Sequence, residues 1–528
     1  MKTKLTLLYF FFKFTVLSQG ELNELKNQYL NCRSINDQEC ALRTAQSMLK
    51  ISESFGDSSS WYNLSKRYTA NSLVSLGKKD EALKIYLEIL PYYSKKRNDD
   101  YAILMNNIGS IYLETGFLNQ AKDYLKNAIS IFKDISFPDQ KLINYLYNLR
   151  QLYILLDEQD ECILIQSDII NCAKGIDEEK YVDEKLGLLW FYIKYKKQVD
   201  FKRIYDELNP SIEKSSNSFW IFKLKMYNVL SMIDKSNFNE LNKSFTEVID
   251  FSERNIEVKS NGEYMFFMAS YSNFLCQNGL YEKAIEINYN SIKLIENGPE
   301  YFENPDYEMA IIQNELSNIY AEINDFNSSI YHANQAITLH KKYLNENHYD
   351  ILINELNLIG LKYHSGDYKN IEYELINLEN KFKESGIPNH FYVNLYLYLM
   401  RLNDLSQNKQ KEYEYLIKYE SIINENQNKF SINEIINAKI EKINFYLRCD
   451  SINNAILIIQ DINNLDELTI VTKSLLFFSF AQAYKSSNSE KSLEFLNKSL
   501  KLKEIVYGRN HPYYLNNLEA LANIEIEN

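Results

Sequence analysis

The stretch Tyr101–Ile131, YAILMNNIGSIYLETGFLNQAKDYLKNAISI, predicts two helices joined by a tight turn. Its apolar residues recur at steps of three to five, which keeps the large ones on one helical face. Small residues such as Gly109 and Ala121 stand where two helices must approach closely. Gly116 is expected to form the turn, because it adopts a positive φ that would strain a residue with a Cβ. The stretch therefore indicates an antiparallel helical hairpin.

The hairpin resembles the tetratricopeptide repeat (TPR), whose pattern is Leu-Gly-x-x-Tyr followed at fixed distances by Gly, Ala, a large apolar residue and Ala. The resemblance implies an all-α fold, a right-handed superhelical solenoid of antiparallel helical hairpins. It also implies a concave groove, lined by the first helix of each hairpin, that binds a peptide or partner protein. No cofactor is expected, because the sequence has neither a phosphate loop nor a Gly-rich dinucleotide turn. The matching residues are Ile108, Gly109, Tyr112, Gly116, Ala121, Leu125 and Ala128.

A period of about 41 residues extends over the whole chain, which is typical of a solenoid. The weaker markers fall near Trp190, Leu230, Leu399 and Lys442, and the total is roughly twelve hairpins. Positions equivalent to Ile108 are Thr69, Leu149, Tyr271, Leu316, Leu358, Phe480 and Leu521.

The stretch Tyr507–Ile524 reads YGRNHPYYLNNLEALANI. Together with the long period, it resembles the kinesin-light-chain type of repeat, in which Gly, His and Pro precede a helix with a Leu-x-x-Leu-Ala pattern. Pro512 is suited to the first position of a helix, where an N–H would have no partner. The matching residues are Gly508, His511, Pro512, Leu518, Leu521 and Ala522.

The quality of the repeats divides the chain into segments. The best repeats use Gly77, Gly279 and Asn324 as turn residues, and Pro91 is expected to end the second helix of its repeat. The predicted segments are a signal peptide (1–20), an N-terminal hairpin (21–60), TPR repeats (61–175), degenerate helical repeats (176–260), TPR repeats (261–385), and degenerate repeats with a C-terminal capping helix (386–528).

Composition and charge limit both the fold class and the kinds of partner. Only 14 Gly and 7 Pro in 528 residues disfavour a turn-rich sandwich or barrel. The net charge of −13 makes nucleic acid an unfavourable partner, because phosphate binding needs a basic face. Past the N-terminus, no run of 18 apolar residues predicts a membrane span. The oligomeric state stays open.

The N-terminus is typical of an exported protein, periplasmic or extracellular. Lys2 and Lys4 precede an apolar run, after which small residues offer a cleavage site. The alternative is a buried first helix in a cytoplasmic protein. Cys32 and Cys40 flank a turn between helices and could form a disulfide in an oxidising compartment.

Sequence motifs for catalysis or metal binding are absent, including phosphate loops, His-Glu-x-x-His and Cys-x-x-Cys. The sequence therefore predicts a non-enzymatic scaffold for protein–protein interaction. A second hypothesis is a regulatory or sensor portion of a larger signalling or proteolytic system, for example the partner of a caspase-like peptidase domain. A surface glycan-binding protein ranks below both.

The resemblance also implies where a ligand would lie, namely two residues before, one before and two after each marker. Arg67 beside amide donors resembles the carboxylate clamp of some repeats that bind chaperone tails. Asn144 and Asn148 stand where that clamp would have Lys and Arg, and a solvated concave face is the simpler interpretation. The candidate groove residues are Arg67, Asn71, Asn106, Asn107, Ser110, Asn314 and Asn318.

Overall fold

A computed structural model of the chain describes residues 19–133, 140–233, 237–259, 261–302, 304–462, 465–507, 509 and 512–527. All regular secondary structure in these ranges is helical. The predicted signal peptide lies almost wholly outside them, as do Gly508 and His511 of the C-terminal motif.

Consecutive helices pair as hairpins, as the sequence predicts. The helices are α1 (19–34), α2 (Gln38–Ser52), α3 (Ser60–Ser75), α4 (Lys79–Ser94), α5 (Asp99–Glu114), α6 (Leu118–Lys133), α7 (Gln140–Leu155), α8 (Gln159–Lys174), α9 (Glu178–Lys194), α10 (Gln198–Ile212), α11 (Ser218–Leu230), α12 (Phe238–Glu253), α13 (Ile256–Lys259), α14 (Gly262–Gln277), α15 (Tyr281–Asn297), α16 (Pro305–Glu322), α17 (Phe326–His340), α18 (Tyr349–His364), α19 (Ile371–Ser385), α20 (Val393–Leu405), α21 (Lys409–Glu425), α22 (Ile432–Arg448), α23 (Ile452–Gln460), α24 (Ile470–Tyr484), α25 (Ser489–Tyr507) and α26 (Pro512–Glu527).

The turns inside the hairpins repeat one geometry. Two residues after the end of the first helix, the backbone turns to positive φ, and the next N–H bonds back into the last helical turn. In the third hairpin Gly116 has a φ of 88° and the Phe117 N–H donates to the Tyr112 carbonyl at 2.8 Å. The turn predictions at Gly77, Gly116, Gly279 and Asn324 are confirmed.

Close packing within a hairpin depends on small residues, also as predicted. A Cβ on Gly109 would lie 2.8 Å from the Leu125 side chain, so α5 and α6 touch there. Ala121 and Ala128 are fully buried on the facing side of α6. Pro512 opens α26 as expected.

The prediction that Pro91 ends its helix is wrong, since α4 continues to Ser94. A proline within a helix removes one backbone hydrogen bond. Here the following turn is held by the burial of Tyr93, and the helix stops three residues later.

The chain divides into two compact units. Unit 1 comprises residues 1–354 and 384–386, and unit 2 comprises 355–383 and 387–528. In unit 1 the apolar faces of successive hairpins stack into continuous cores, the largest of which extends from Ile170 to Ile319. In unit 2 a core between α22 and α24 contains Ile443, Leu476 and Phe480.

Candidate functional site

A cavity of about 680 Å³ in unit 1, called the main cavity below, is lined mostly by first helices. Most of its wall belongs to α7, α9, α11, α14 and α16, the first helices of five consecutive hairpins. This is the face that the resemblance assigns to ligand binding. The aromatic residues on its wall are Trp190, Phe191, Phe219, Tyr227, Phe266, Tyr301 and Tyr307.

A second cavity of about 300 Å³ continues the first along α14 and α16. Phe266 and Ile311 line both, so the two cavities share a wall. Ile233, Phe274 and Glu315 are among the other residues that line the second one. Together the two cavities are called the aromatic groove below.

Glu263 and Lys223 form an ion pair at the edge of this groove. The Lys223 Nζ lies 2.9 Å from Oε1 of Glu263 and 4.6 Å from the centre of the Phe219 ring. The other oxygen of Glu263, Oε2, is buried and has no hydrogen-bond partner within the described structure. Burial raises the pKa of Glu263, and Lys223 acts in the opposite direction.

Glu308 is held in a space that only glycine leaves open. Its side chain lies against Gly262 of the neighbouring first helix, where an added Cβ would overlap Oε1. The residue is 9% exposed. Any larger residue at position 262 would have to displace the carboxylate.

Arg150 is the cation on the wall of the groove, and its guanidinium is already engaged. Its Nη1 donates to Oε1 of Gln166 at 2.5 Å and to Oε2 of Glu184 at 3.3 Å. Three carboxylates and one guanidinium thus line the described groove, which is acidic.

Glu315 lies among apolar side chains in the second cavity, beside Phe266, Phe274 and Ile311. Burial raises its pKa to about 7, and a hydrogen bond with Asn273 acts in the opposite direction. A carboxylate in such surroundings is stabilised in its charged form by an incoming cation.

The predicted groove residues lie on first helices, but several already bind one another. On α3, Nη1 of Arg67 lies 2.7 Å from Oδ1 of Asp100 and the guanidinium carbon is 5.3 Å from the centre of the Tyr93 ring. Asn71 accepts hydrogen bonds from Tyr86 Oη at 2.5 Å and Asn107 Nδ2 at 3.3 Å.

The other predicted residues form two separate groups. Asn106 of α5 accepts from Asn148 Nδ2 at 3.1 Å, and Ser110 donates to Glu114 at 3.1 Å. Asn314 and Asn318 lie on α16, several hairpins further along. They flank Glu315, which the sequence interpretation did not include.

The positions two before, one before and two after each marker, which the resemblance assigns to ligand binding, predict part of the groove. Around Tyr271 they give Ala269, Ser270 and Asn273, and before Leu316 they give Glu315. All four line the second cavity. For the larger cavity the implied positions give none of the lining residues, six of which lie in 176–260, where the repeats are too weak for a register to be assigned.

The architecture is that of a TPR-like helical repeat protein. Neither a protein-family model nor a curated protein matches the sequence. Among solved structures the chain is similar to the apo form of RapI, at 16% identity over 65% of this chain and 98% of that one, with a TM-score of 0.45. The chain is also similar to aspartyl phosphate phosphatase F from Bacillus subtilis, at 13% identity over 78% of this chain and 96% of that one, with a TM-score of 0.44.

A third similar structure is the APC/C hetero-tetramer Cut9-Hcn1, at 14% identity over 96% of this chain and 90% of that one, with a TM-score of 0.38. At these identities the likeness concerns the helical-repeat fold and gives no guide to ligand or activity.

No helix in the described ranges is long and apolar enough to cross a membrane. No group of three or more His, Cys, Asp or Glu side chains there is arranged to hold a metal ion.

Proposed function

We propose that the chain is a non-enzymatic scaffold that binds a peptide, or an extended segment of a partner protein, in the aromatic groove of unit 1. The observation that carries this proposal is a cavity of about 680 Å³ walled by first helices and rich in aromatic side chains. Its volume falls within the roughly 300 to 1,000 Å³ of ordinary ligand sites. Aromatic residues in such pockets supply much of the binding free energy at protein interfaces.

The groove also provides polar groups that can select a ligand. Backbone groups of an extended peptide need hydrogen-bond partners, and Asn261, Asn273 and Ser270 lie on its walls. Helical repeats are suited to this task, because stacked hairpins present one extended surface to a ligand.

We also infer that the protein is exported. In the structure Cys32 and Cys40 form a disulfide, with their Cα atoms 5.7 Å apart. Such bonds persist in oxidising compartments and are rare in the cytosol of most cells. The disulfide supports the export that Lys2, Lys4 and the apolar run of the N-terminus predict.

Site-specific photo-crosslinking in the native host tests the groove. A benzoylphenylalanine at Tyr301, which is 64% exposed and lines the main cavity, is compared with one at Tyr331 on α17, which is 59% exposed and outside the groove. We expect a partner to be captured from position 301 and not from position 331. Equal capture from both, or capture from position 331 alone, would exclude the groove as the binding surface.

A further inference from the structure

The charges on the groove wall indicate which ligand chemistry it accepts. The carboxylates of Glu263, Glu308 and Glu315 face it, against the guanidinium of Arg150. Arg150 already bonds Gln166 and Glu184, so it is poorly placed to bind an incoming anion. Lys223, at the edge of the groove, is engaged in the same way by Glu263. An anionic ligand would therefore be repelled by Glu315, with both nearby cations already paired.

Among these carboxylates, Glu315 is the one whose negative charge is least balanced by neighbouring groups. Asn273 and Cys276 on α14 interact with it, and Ser270 and Gln277 line the same cavity beside the apolar wall. A Lys ammonium or Arg guanidinium placed there would gain a charge-assisted hydrogen bond and keep Glu315 ionised.

The larger cavity next to it has a different character. Trp190, Phe219 and Phe266 offer apolar ring faces, and Tyr301 and Tyr307 add exposed aromatic rings. Such surfaces bury a large apolar side chain, and ring faces also attract cations. Glu263 adds the buried oxygen Oε2, which has no hydrogen-bond partner within the described structure.

We propose that the aromatic groove selects a peptide segment in which Lys or Arg stands next to a large apolar residue, with the cation at Glu315 and the apolar side chain in the main cavity. This rests on the proposed function, because it takes the groove as the binding site. We infer this kind of peptide from its charge complementarity with Glu315 and from the apolar wall that adjoins that carboxylate.

An affinity selection with a synthetic library tests the proposal. Acetylated, amidated octapeptides with randomised positions are bound to the full chain, and their enrichment is measured by mass spectrometry. The reference variant is Gly187→Leu, whose side chain would fill the main cavity. A Cβ added at Gly187 would lie 3.6 Å from Gln166 Nε2 and is otherwise in open space, so the position has room for a larger side chain. If that variant does not fold, Phe266→Ala, which removes the shared wall, replaces it.

Selected peptides are then measured by calorimetry against Glu315→Gln. The matched control is Glu286→Gln, the same change at an exposed position on α15 of the preceding hairpin. We expect Lys or Arg to be enriched beside Leu, Phe or Trp. We expect Glu315→Gln to weaken binding roughly tenfold or more, because it removes the charge that strengthens the hydrogen bond with the bound cation. Citrulline in place of Arg should have a similar effect.

The possible failures are distinguishable. If peptides bind the groove without a basic residue, or Glu315→Gln behaves like Glu286→Gln, the ligand chemistry is wrong and the proposed function stands. If wild type and the reference variant enrich the same peptides, or neither enriches any, both the ligand chemistry and the groove as a peptide site are overturned.

Discussion

Gly116, in the turn between α5 and α6, lies directly against the backbone of Asn347, which precedes α18 in the same unit. A Cβ on Gly116 would overlap the Asn347 carbonyl oxygen, and the φ of Gly116 is 88°. Tyr349 packs on the core of the early hairpins beside this contact. Hairpins far apart in sequence therefore touch within unit 1, and Gly116 serves both the local turn and the distant contact.

Gly116→Ala should destabilise unit 1 more than Gly77→Ala. Gly77 has a similar φ of 77° but open space around it, so its substitution isolates the backbone strain, about 1 kcal/mol. At position 116 the Cβ must also displace Asn347. Trp61, Trp190 and Trp220, the three tryptophans of the chain, all lie in unit 1, so urea unfolding followed by their fluorescence measures the difference. Equal midpoints would show that the contact with Asn347 contributes nothing.

Gly109→Leu should lower stability more than Glu114→Leu on the same helix. Position 109 touches Leu125, and overpacking such a contact costs about 1 to 3 kcal/mol. Glu114 is partly exposed and would lose its ion pair with Lys79, which spans 2.7 Å and is of a kind worth about 0 to 1 kcal/mol. The same unfolding measurement applies, and a double variant with Leu125→Ala should recover part of the loss.

Glu315→Gln should stabilise unit 1 at pH 8 and leave it unchanged near pH 4. Burial raises the pKa of Glu315 from its ordinary 4.5 to about 7, so between these values the folded chain binds more protons than the unfolded one. The contribution of Glu315 to the free energy of unfolding therefore falls as pH rises through this window, by roughly 1 to 3 kcal/mol. Glu286→Gln, the same change at an exposed position, is the control, and the same pH dependence in both variants would contradict the assignment to Glu315.

Arg67→Ala should lower stability by roughly 1 to 2 kcal/mol, because Arg67 bonds Asp100 and stacks on Tyr93. Arg43→Ala, at an exposed position on α2, is the matched control. The predicted carboxylate site is tested separately by titrating free-carboxylate and amidated peptides against wild type and Arg67→Ala. An affinity that ignores both the amide cap and the mutation would exclude such a site around Arg67.

Loss of the disulfide should destabilise the N-terminal hairpin by about 2 kcal/mol, since the bond closes a short loop with a sequence separation of 8. Alkylation of the denatured, unreduced protein from its native host checks the bond itself. We expect four labelled cysteines, Cys162, Cys172, Cys276 and Cys449. Labelling of all six would contradict both the disulfide and the oxidising compartment inferred from it.

The sequence by itself determined the hairpins, their period and their turns. These features are local: positive φ at Gly77 or Gly116 follows from the residue itself, and a helical face follows from spacings of three and four. The contact of Gly109 with α6 was also predictable, because the two helices are joined by a short turn. The prediction that the helix ends at Pro91 was wrong, because the burial of Tyr93 keeps the chain helical after the proline.

Only the tertiary structure decided where the groove lies and which side chains face it. Its wall comes from five hairpins, and whether Trp190 or Glu308 faces inward depends on how each helix is rotated against its neighbours. That rotation is set by packing between hairpins, which leaves no fixed spacing along the chain where the repeats are degenerate. The contact between Gly116 and Asn347 has the same origin, because it depends on the accumulated curvature of the intervening hairpins in unit 1.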